Sequence, residues 1–168
     1  MFKGGDVLIF IRKASPADIP RIKEILLKVN LSTDIEDYID NFMVMEIDGS
    51  IVATAGLEVY QDTAILRSVA VMPEFQHQNL GDGLVRAMIN FADRRNIRKL
   101  FLFTQTARGF FEKIGFKPIS RESIDEKCKA SKQYRGICPV FSSVMELDVK
   151  NSLIIYIVDR KNRRLFLC

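Results

Sequence analysis

Val69-Ala70-Val71-Met72-Pro73-Glu74-Phe75-Gln76-His77-Gln78-Asn79-Leu80-Gly81-Asp82-Gly83-Leu84 is the stretch that decides the fold. An apolar, β-branched run enters a polar loop containing glycines, and helical spacing then takes over through Leu84, Met88 and Phe91. The segment therefore reads as strand, loop and helix, with the helix from about Asp82 to Arg95. Such a layout suits an anion. The first N–H groups of a helix have no partner within it, the helix dipole adds a positive end, and small or left-handed-tolerant residues let the backbone come close to a phosphate. The plain alternative is a helix-entry turn in which glycine serves geometry alone.

Outward from this stretch, strand and helix signals alternate. Val7 to Lys13 reads as a strand, and Ser15, Pro16 and Asp18 form a helix start with the serine hydroxyl as cap and proline in the first turn. Ile19, Ile22, Ile25, Leu26 and Val29 recur at helical spacing and mark a buried face. A second short helix is expected after Thr33 and Asp34. Phe42 to Ile47 and Ile51 to Tyr60 are β-rich runs joined by Asp48-Gly49-Ser50, a hairpin signal, and Gln61-Asp62 turns the chain into Ala64 to Val71. Beyond the central helix come a strand at Lys99 to Phe103, a short helix at Ala107 to Lys113 capped by Gly115, and a last strand at Ser143 to Val149. This order belongs to a mixed α/β sheet with helices on its faces.

The chain has 168 residues, 48% of them hydrophobic, which is the material of one domain with a sizeable core. A net charge of +4 suits an anionic ligand, and the acidic residues interspersed among the basic ones argue against a nucleic-acid partner. The apolar stretches are too short to span a bilayer and the N-terminus lacks a signal-peptide pattern, so the expectation is a soluble, cytoplasmic protein with no membrane partner. Three cysteines (Cys128, Cys138 and Cys168) and one histidine, His77, support neither a disulfide framework nor a zinc site. No metal is expected.

The loop resembles the GNAT superfamily of N-acetyltransferases, whose pyrophosphate loop follows Val-x-Val-x-Pro-x-[Tyr/Phe]-[Gln/Arg]-x-x-Gly-x-[Gly/Ala]. Counted from Pro73, Gln76 fills the Gln/Arg position and Gly81 the last glycine, while Asn79 stands where the family usually has its first glycine. Asparagine is the least costly substitute there if the backbone is left-handed. A second register, from Gln78 to Gly83, also fits Gln-x-x-Gly-x-Gly. Phe101-Leu102-Phe103-Thr104 and Ala107 to Phe116 look like the family's second block, with Thr104 in place of Asn and Phe111 in place of the Tyr that often protonates the departing thiolate. Gly56 to Tyr60, Leu66 to Val71 and Tyr134-x-x-x-Cys138-Pro139-x-x-Ser142 are similar to the branch holding the N-acetylglutamate synthase acetyltransferase domain and the arsenic-resistance-associated N-acetyltransferases.

The resemblance covers residues 7–149 and implies a mixed, mostly antiparallel sheet of about seven strands splayed at a central V, with helices on both faces. A GNAT domain over residues 1–150 would be followed by an extension at 151–168. The implied activity is acetyl-CoA-dependent transfer of acetyl to the amine of a small, amino-acid-like molecule by direct attack on the thioester. Cofactor contacts would fall on Val69, Ala70, Val71, Gln76, His77, Gln78, Asn79, Leu80, Gly81, Asp82, Gly83, Thr104 and Phe111. Substrate would meet Arg67 and Ser68.

Glu58 is the candidate general base, since the family commonly places a carboxylate on this strand near the thioester, acting directly or through water. Its plainer reading is a strand-end carboxylate. Arg67 sits in an apolar run where an unpaired charge would be costly, so it either binds a substrate carboxylate or pairs with Glu58. Tyr134 is a candidate acid for the thiolate. His77 is placed as a phosphate contact and Cys138 as a packing thiol, with no histidine to activate it. The tail, with Arg160, Lys161, Arg163 and Arg164 between two apolar runs, reads as a terminal hairpin, either a strand pair covering a sheet edge or a surface for homodimerisation or for binding an anion on those four basic residues. A catalytically weakened CoA-binding regulatory or interaction module is the rival to the enzyme, because the usual tyrosine is absent at position 111 and Asn79 stands in place of the loop's first glycine.

Overall fold

In sequence order the chain alternates between short strands and helices, as its periodicity dictates. The structure, a computed structural model, describes residues 7–152, so the expected tail hairpin lies outside the described residues. The elements are β1 (Ile9–Lys13), α1 (Ile19–Lys28), β2 (Phe42–Ile47), β3 (Ser50–Tyr60), β4 (Thr63–Val71), α2 (Leu80–Arg94), β5 (Lys99–Thr104), α3 (Arg108–Ile114), β6 (Lys117–Ile119) and β7 (Ser143–Asp148). The strands form one seven-stranded sheet in the order β1-β2-β3-β4-β5-β7-β6. The pairings of β1 with β2, β2 with β3, β5 with β7 and β6 with β7 are antiparallel. The parallel pairing of β4 with β5 runs over Thr63–Ile65 and Lys99–Phe101.

Turn chemistry fixes the hairpins. Asp48 and Gly49 both adopt left-handed backbone, φ 48° and 79°, the requirement of a two-residue hairpin turn between strands of natural twist. Gln61 does the same between β3 and β4, at φ 56°. Gly56 on β3 answers a different demand. A Cβ built there would lie 2.1 Å from Phe42 Cε2, and Phe42 is its cross-strand partner and wholly buried.

The chain gathers into two compact units that share β3, β4 and α2. One consists of residues up to Leu57 together with Ser68–Met88. Its core packs Ile22, Ile25 and Leu26 of α1 with Ile35, Ile39, Phe42, Val44, Ala70 and Met72. Asp18 pins the entry to α1: it accepts from the Ser15 N–H at 2.8 Å and takes both Nη atoms of Arg12, at 2.8 and 3.0 Å. Ser15 is the N-cap of this entry turn, as expected, and its hydroxyl also donates to the same carboxylate at 3.1 Å. A hydroxyl beside a charged acceptor gains more by donating to it.

The second unit holds Glu58–Arg67 and the chain from Ile89 on. Ile65, Phe101, Val144, Ile124 and Cys128 form a buried cluster with Tyr60, Phe103, Ile119 and Tyr134 against it. The connection from β6 to β7 supplies Ile124, Cys128 and Tyr134. It runs through short 3₁₀ turns and a π-type turn at Gln133–Ile137 that closes at Gly136, φ 148°. Sequence periodicity cannot see such turns, and none was expected here. Among the described residues no helix is long and apolar enough to cross a membrane.

Candidate active site

The strand, loop and helix of residues 69–84 lie in the first unit. Ser68, at the head of this stretch, has φ 55° inside β4, a left-handed conformation rare for a non-glycine residue. Such a residue bends a strand and re-aims the backbone groups beside it. Gln76 donates from Nε2 to the Val71 carbonyl at 3.0 Å and so ties the loop to the strand end. His77 and Asn79 are both left-handed, at φ 61°, and α2 begins at Leu80. Asn79 thus holds the left-handed backbone that asparagine tolerates better than most non-glycine residues.

The helix begins two residues earlier than the periodicity placed it. The left-handed turn at Asn79 releases the chain directly into α2, so Gly81 and Asp82 lie in its first turn and the N–H of Gly83 already bonds the Asn79 carbonyl at 3.2 Å. Asp82 is paired with Arg86 one turn on, at 2.8 Å. A Cβ added to Gly83 would meet nothing within 4 Å, so the backbone there is open to close approach. Positive φ at two loop positions, an open glycine and a fresh helix N-terminus together suit an anion such as a phosphate group.

The second unit builds a different kind of site. Glu58 is 2% exposed and Arg67 7%, with Arg67 Nη1 donating to Glu58 Oε2 at 3.2 Å. The Tyr60 hydroxyl donates to Glu58 Oε1. Gln133 enters from the β6–β7 connection, itself 6% exposed. Oriented to satisfy both charges, its Nε2 donates to Glu58 Oε2 at 2.7 Å and its Oε1 accepts from Arg67 Nε at 3.3 Å. Glu58 and Arg67 are thus brought together, as one of the two sequence readings required, within a four-residue network.

Tyr60 and Gln133 went unrecognised in the sequence. Tyr60 shares a strand face with Glu58 because it lies two residues away, a signal that was available. Nothing local marks Gln133, which is delivered by a turn.

Arg121 holds that turn in place. Its guanidinium donates to the carbonyls of Gln133, Tyr134, Cys138 and Pro139, at 3.3, 2.7, 3.4 and 3.4 Å, and lies over the rings of Phe103 and Tyr134. Tyr134 is half-buried, and its backbone N–H bonds the Ser131 hydroxyl. Thr104 accepts from the Ala107 N–H at 3.0 Å and so starts α3. Phe111 is buried edge-on against Phe110 and Phe116. Cys128 is buried beside the Thr63 hydroxyl, and loss of water pushes its thiol up to about 11. Burial likewise raises the Cys138 thiol, in keeping with packing and not with nucleophilic chemistry. Among the described residues no group of His, Cys, Asp and Glu side chains could hold a metal ion.

Fold and loop together define a class, the acyl-CoA N-acyltransferase fold. N-acetylglutamate synthase from Neisseria gonorrhoeae, solved with coenzyme A and L-arginine, superposes at a TM-score of 0.70 with 25% identity, over 83% of this chain and 33% of that one. Residues 39–118 match the acetyltransferase (GNAT) domain model. The amino-acid acetyltransferase of Aeromonas salmonicida (strain A449) is 35% identical over 92 residues, which is 54% of this chain and 21% of that protein. That of Pasteurella multocida (strain Pm70) is 29% identical over 135 residues, 74% of this chain and 31% of the other. The chain thus spans between a fifth and a third of the length of these relatives.

Proposed function

We propose that this chain is an acetyl-CoA-dependent N-acetyltransferase that acetylates the amine of a small, amino-acid-like molecule by direct attack of that amine on the thioester. The observation that carries the reading is the left-handed Asn79 delivering the chain into α2 beside the open Gly83, a backbone geometry suited to a phosphate. The names of the relatives, amino-acid acetyltransferase and N-acetylglutamate synthase, support the substrate class.

Acetyl-CoA would supply an acetyl group already activated as a thioester. The loop from Gln76 to Gly83 would hold its pyrophosphate, and the backbone N–H groups of Val69, Ala70 and Val71, re-aimed by the left-handed Ser68, would bond its amide and acetyl carbonyls. Thr104 and Phe111 would line the remaining length of the cofactor. Glu58 would take the proton from the substrate ammonium, directly or through water. A carboxylate oxygen already bonded by Tyr60 or Gln133 keeps further lone pairs for that proton. Arg67 would orient the carboxylate of the substrate, with Ser68 next to it in the chain, and Tyr134 would return a proton to the departing sulfur.

One observation favours a second reading. Glu58 and Arg67 satisfy one another in a closed, buried pair, as they would in a CoA-binding module with no acceptor amine. Incubation with acetyl-CoA and a panel of amino acids, their arsenic- and phosphorus-containing analogues and polyamines, with products identified by mass spectrometry, separates the two. An N-acetylated amine formed in proportion to enzyme supports the transferase. Tight CoA binding with no product supports the module.

A further inference from the structure

Gln133 presents a carboxamide to both members of a buried ion pair. Its nitrogen faces Glu58 Oε2 at 2.7 Å and its oxygen faces Arg67 Nε at 3.3 Å, so the guanidinium reaches the carboxylate through Nη1, while its Nε is turned to the amide. An arginine is built to grip a carboxylate with two parallel N–H groups, and that grip favours the charged carboxylate strongly. The amide occupies one prong. Its own place is set by the main chain: the Gln133 carbonyl accepts from Arg121 Nη2 and from the Cys138 N–H, both at 3.3 Å, across the π-type turn.

Resting on the reading of Glu58 as the base, we propose that Gln133 is a positioning residue for proton removal, one that splits the Arg67 fork so that the guanidinium grips the Glu58 carboxylate by a single prong. Among the described residues, the charged and titratable groups beside the pair include Arg67 on β4, Tyr60 on the strand of Glu58, the Cys128 thiol, which feels the charge of Glu58, and the Cys138 thiol, which feels that of Arg67. Arg121 stands on the main-chain side of Gln133, and Phe101 of β5 and Val144 of β7 are apolar members of the adjoining core.

Replacing the amide with an apolar group of similar shape has two opposed effects. Glu58 loses a neutral hydrogen bond, which disfavours the carboxylate, and Arg67 gains a second charge-assisted prong, which favours it. Charge-assisted bonds are roughly twice as strong as neutral ones, so the second effect wins.

The test is a ¹³C-NMR titration of the Glu58 carboxyl in the CoA-free protein, with the resonance assigned by its loss in Glu58→Gln. In Gln133→Met the midpoint should fall by about one pH unit, the lower end of what a closer opposite charge produces. In Gln133→Glu, which sets a second carboxylate beside the first, it should rise by a similar amount. With the best amine of the acceptor panel, the acid limb of kcat/KM should move in the same two directions, and kcat/KM at neutral pH should fall about tenfold in Gln133→Met. Midpoints that stay put, or move the same way in both variants, overturn the role of Gln133. If Gln133→Met does not fold, an unmoved midpoint in Gln133→Glu alone overturns it. Full activity in Glu58→Gln removes the base reading itself, whatever the titrations show.

Discussion

Arg67 and Glu58 face each other on neighbouring strands, nitrogen to oxygen at 3.2 Å, with under a tenth of either residue open to water. A charge buried this far is tolerable only while its partner stays. Arg67→Ala should therefore lower unfolding stability by about 3 kcal/mol, because it strands a buried carboxylate. Glu58→Gln keeps the shape but leaves the buried Arg67 guanidinium without a counter-charge, so it should cost a comparable amount. It should also act on turnover, with kcat down about a hundredfold and KM for the amine little changed. Urea unfolding and steady-state kinetics on the two variants check both statements.

Gly56 has no space for a side chain. With a Cβ only 2.1 Å from the ring of the wholly buried Phe42, Gly56→Ala should destabilise the protein by about 3 kcal/mol, at the upper end of ordinary overpacking. Adding Phe42→Leu should recover part of that loss, since neighbours that share one volume do not contribute additively. Chemical denaturation of the two single variants and the double variant reads the coupling.

Arg12 and the Ser15 N–H and hydroxyl hold the Asp18 carboxyl down at about 2, against an ordinary value of 3.8. A folded-state value below the unfolded one stabilises the fold above the unfolded value and ceases to do so as acid protonates the group. The contribution, about 2 kcal/mol, is present at neutral pH and disappears as the pH falls from about 4 to about 2. Asp18→Asn should remove it. Unfolding free energies measured between pH 2 and pH 7 should converge for the two proteins at the acid end and separate above pH 4.

Asn79 tolerates its left-handed backbone, where a β-branched residue would not. Asn79→Gly should leave the loop and its affinity for CoA intact, and Asn79→Val should weaken CoA binding about tenfold by strain of about 1–2 kcal/mol at φ 61°. Calorimetric titration with CoA reads the difference without an acceptor amine.

How much of this was legible in the sequence differs by element. The hairpins were clear because Asp48-Gly49 and Gln61-Asp62 carry turn chemistry in the residues themselves, and α1 because five apolar residues repeat at one spacing. The loop was legible through Asn79, whose left-handed backbone follows from what asparagine can adopt. The start of α2 was misplaced by two residues, since the polar residues of a first helical turn look like loop. The partners of Glu58 were only half visible. Arg67 could be paired with it because a charge in an apolar strand needs an answer, whereas Gln133 arrives through turns held by Arg121 bonding to carbonyls, and carbonyls have no signature in a sequence.

The most direct test of the central claim is acetyl-CoA turnover by the purified protein, followed as free thiol release, against the acceptor panel. At least one small amino-acid-like amine should raise thiol release well above the rate with acetyl-CoA alone, and Glu58→Gln should cut that increase about a hundredfold. CoA bound tightly, with thiol release unchanged by every amine in the panel, would contradict the claim.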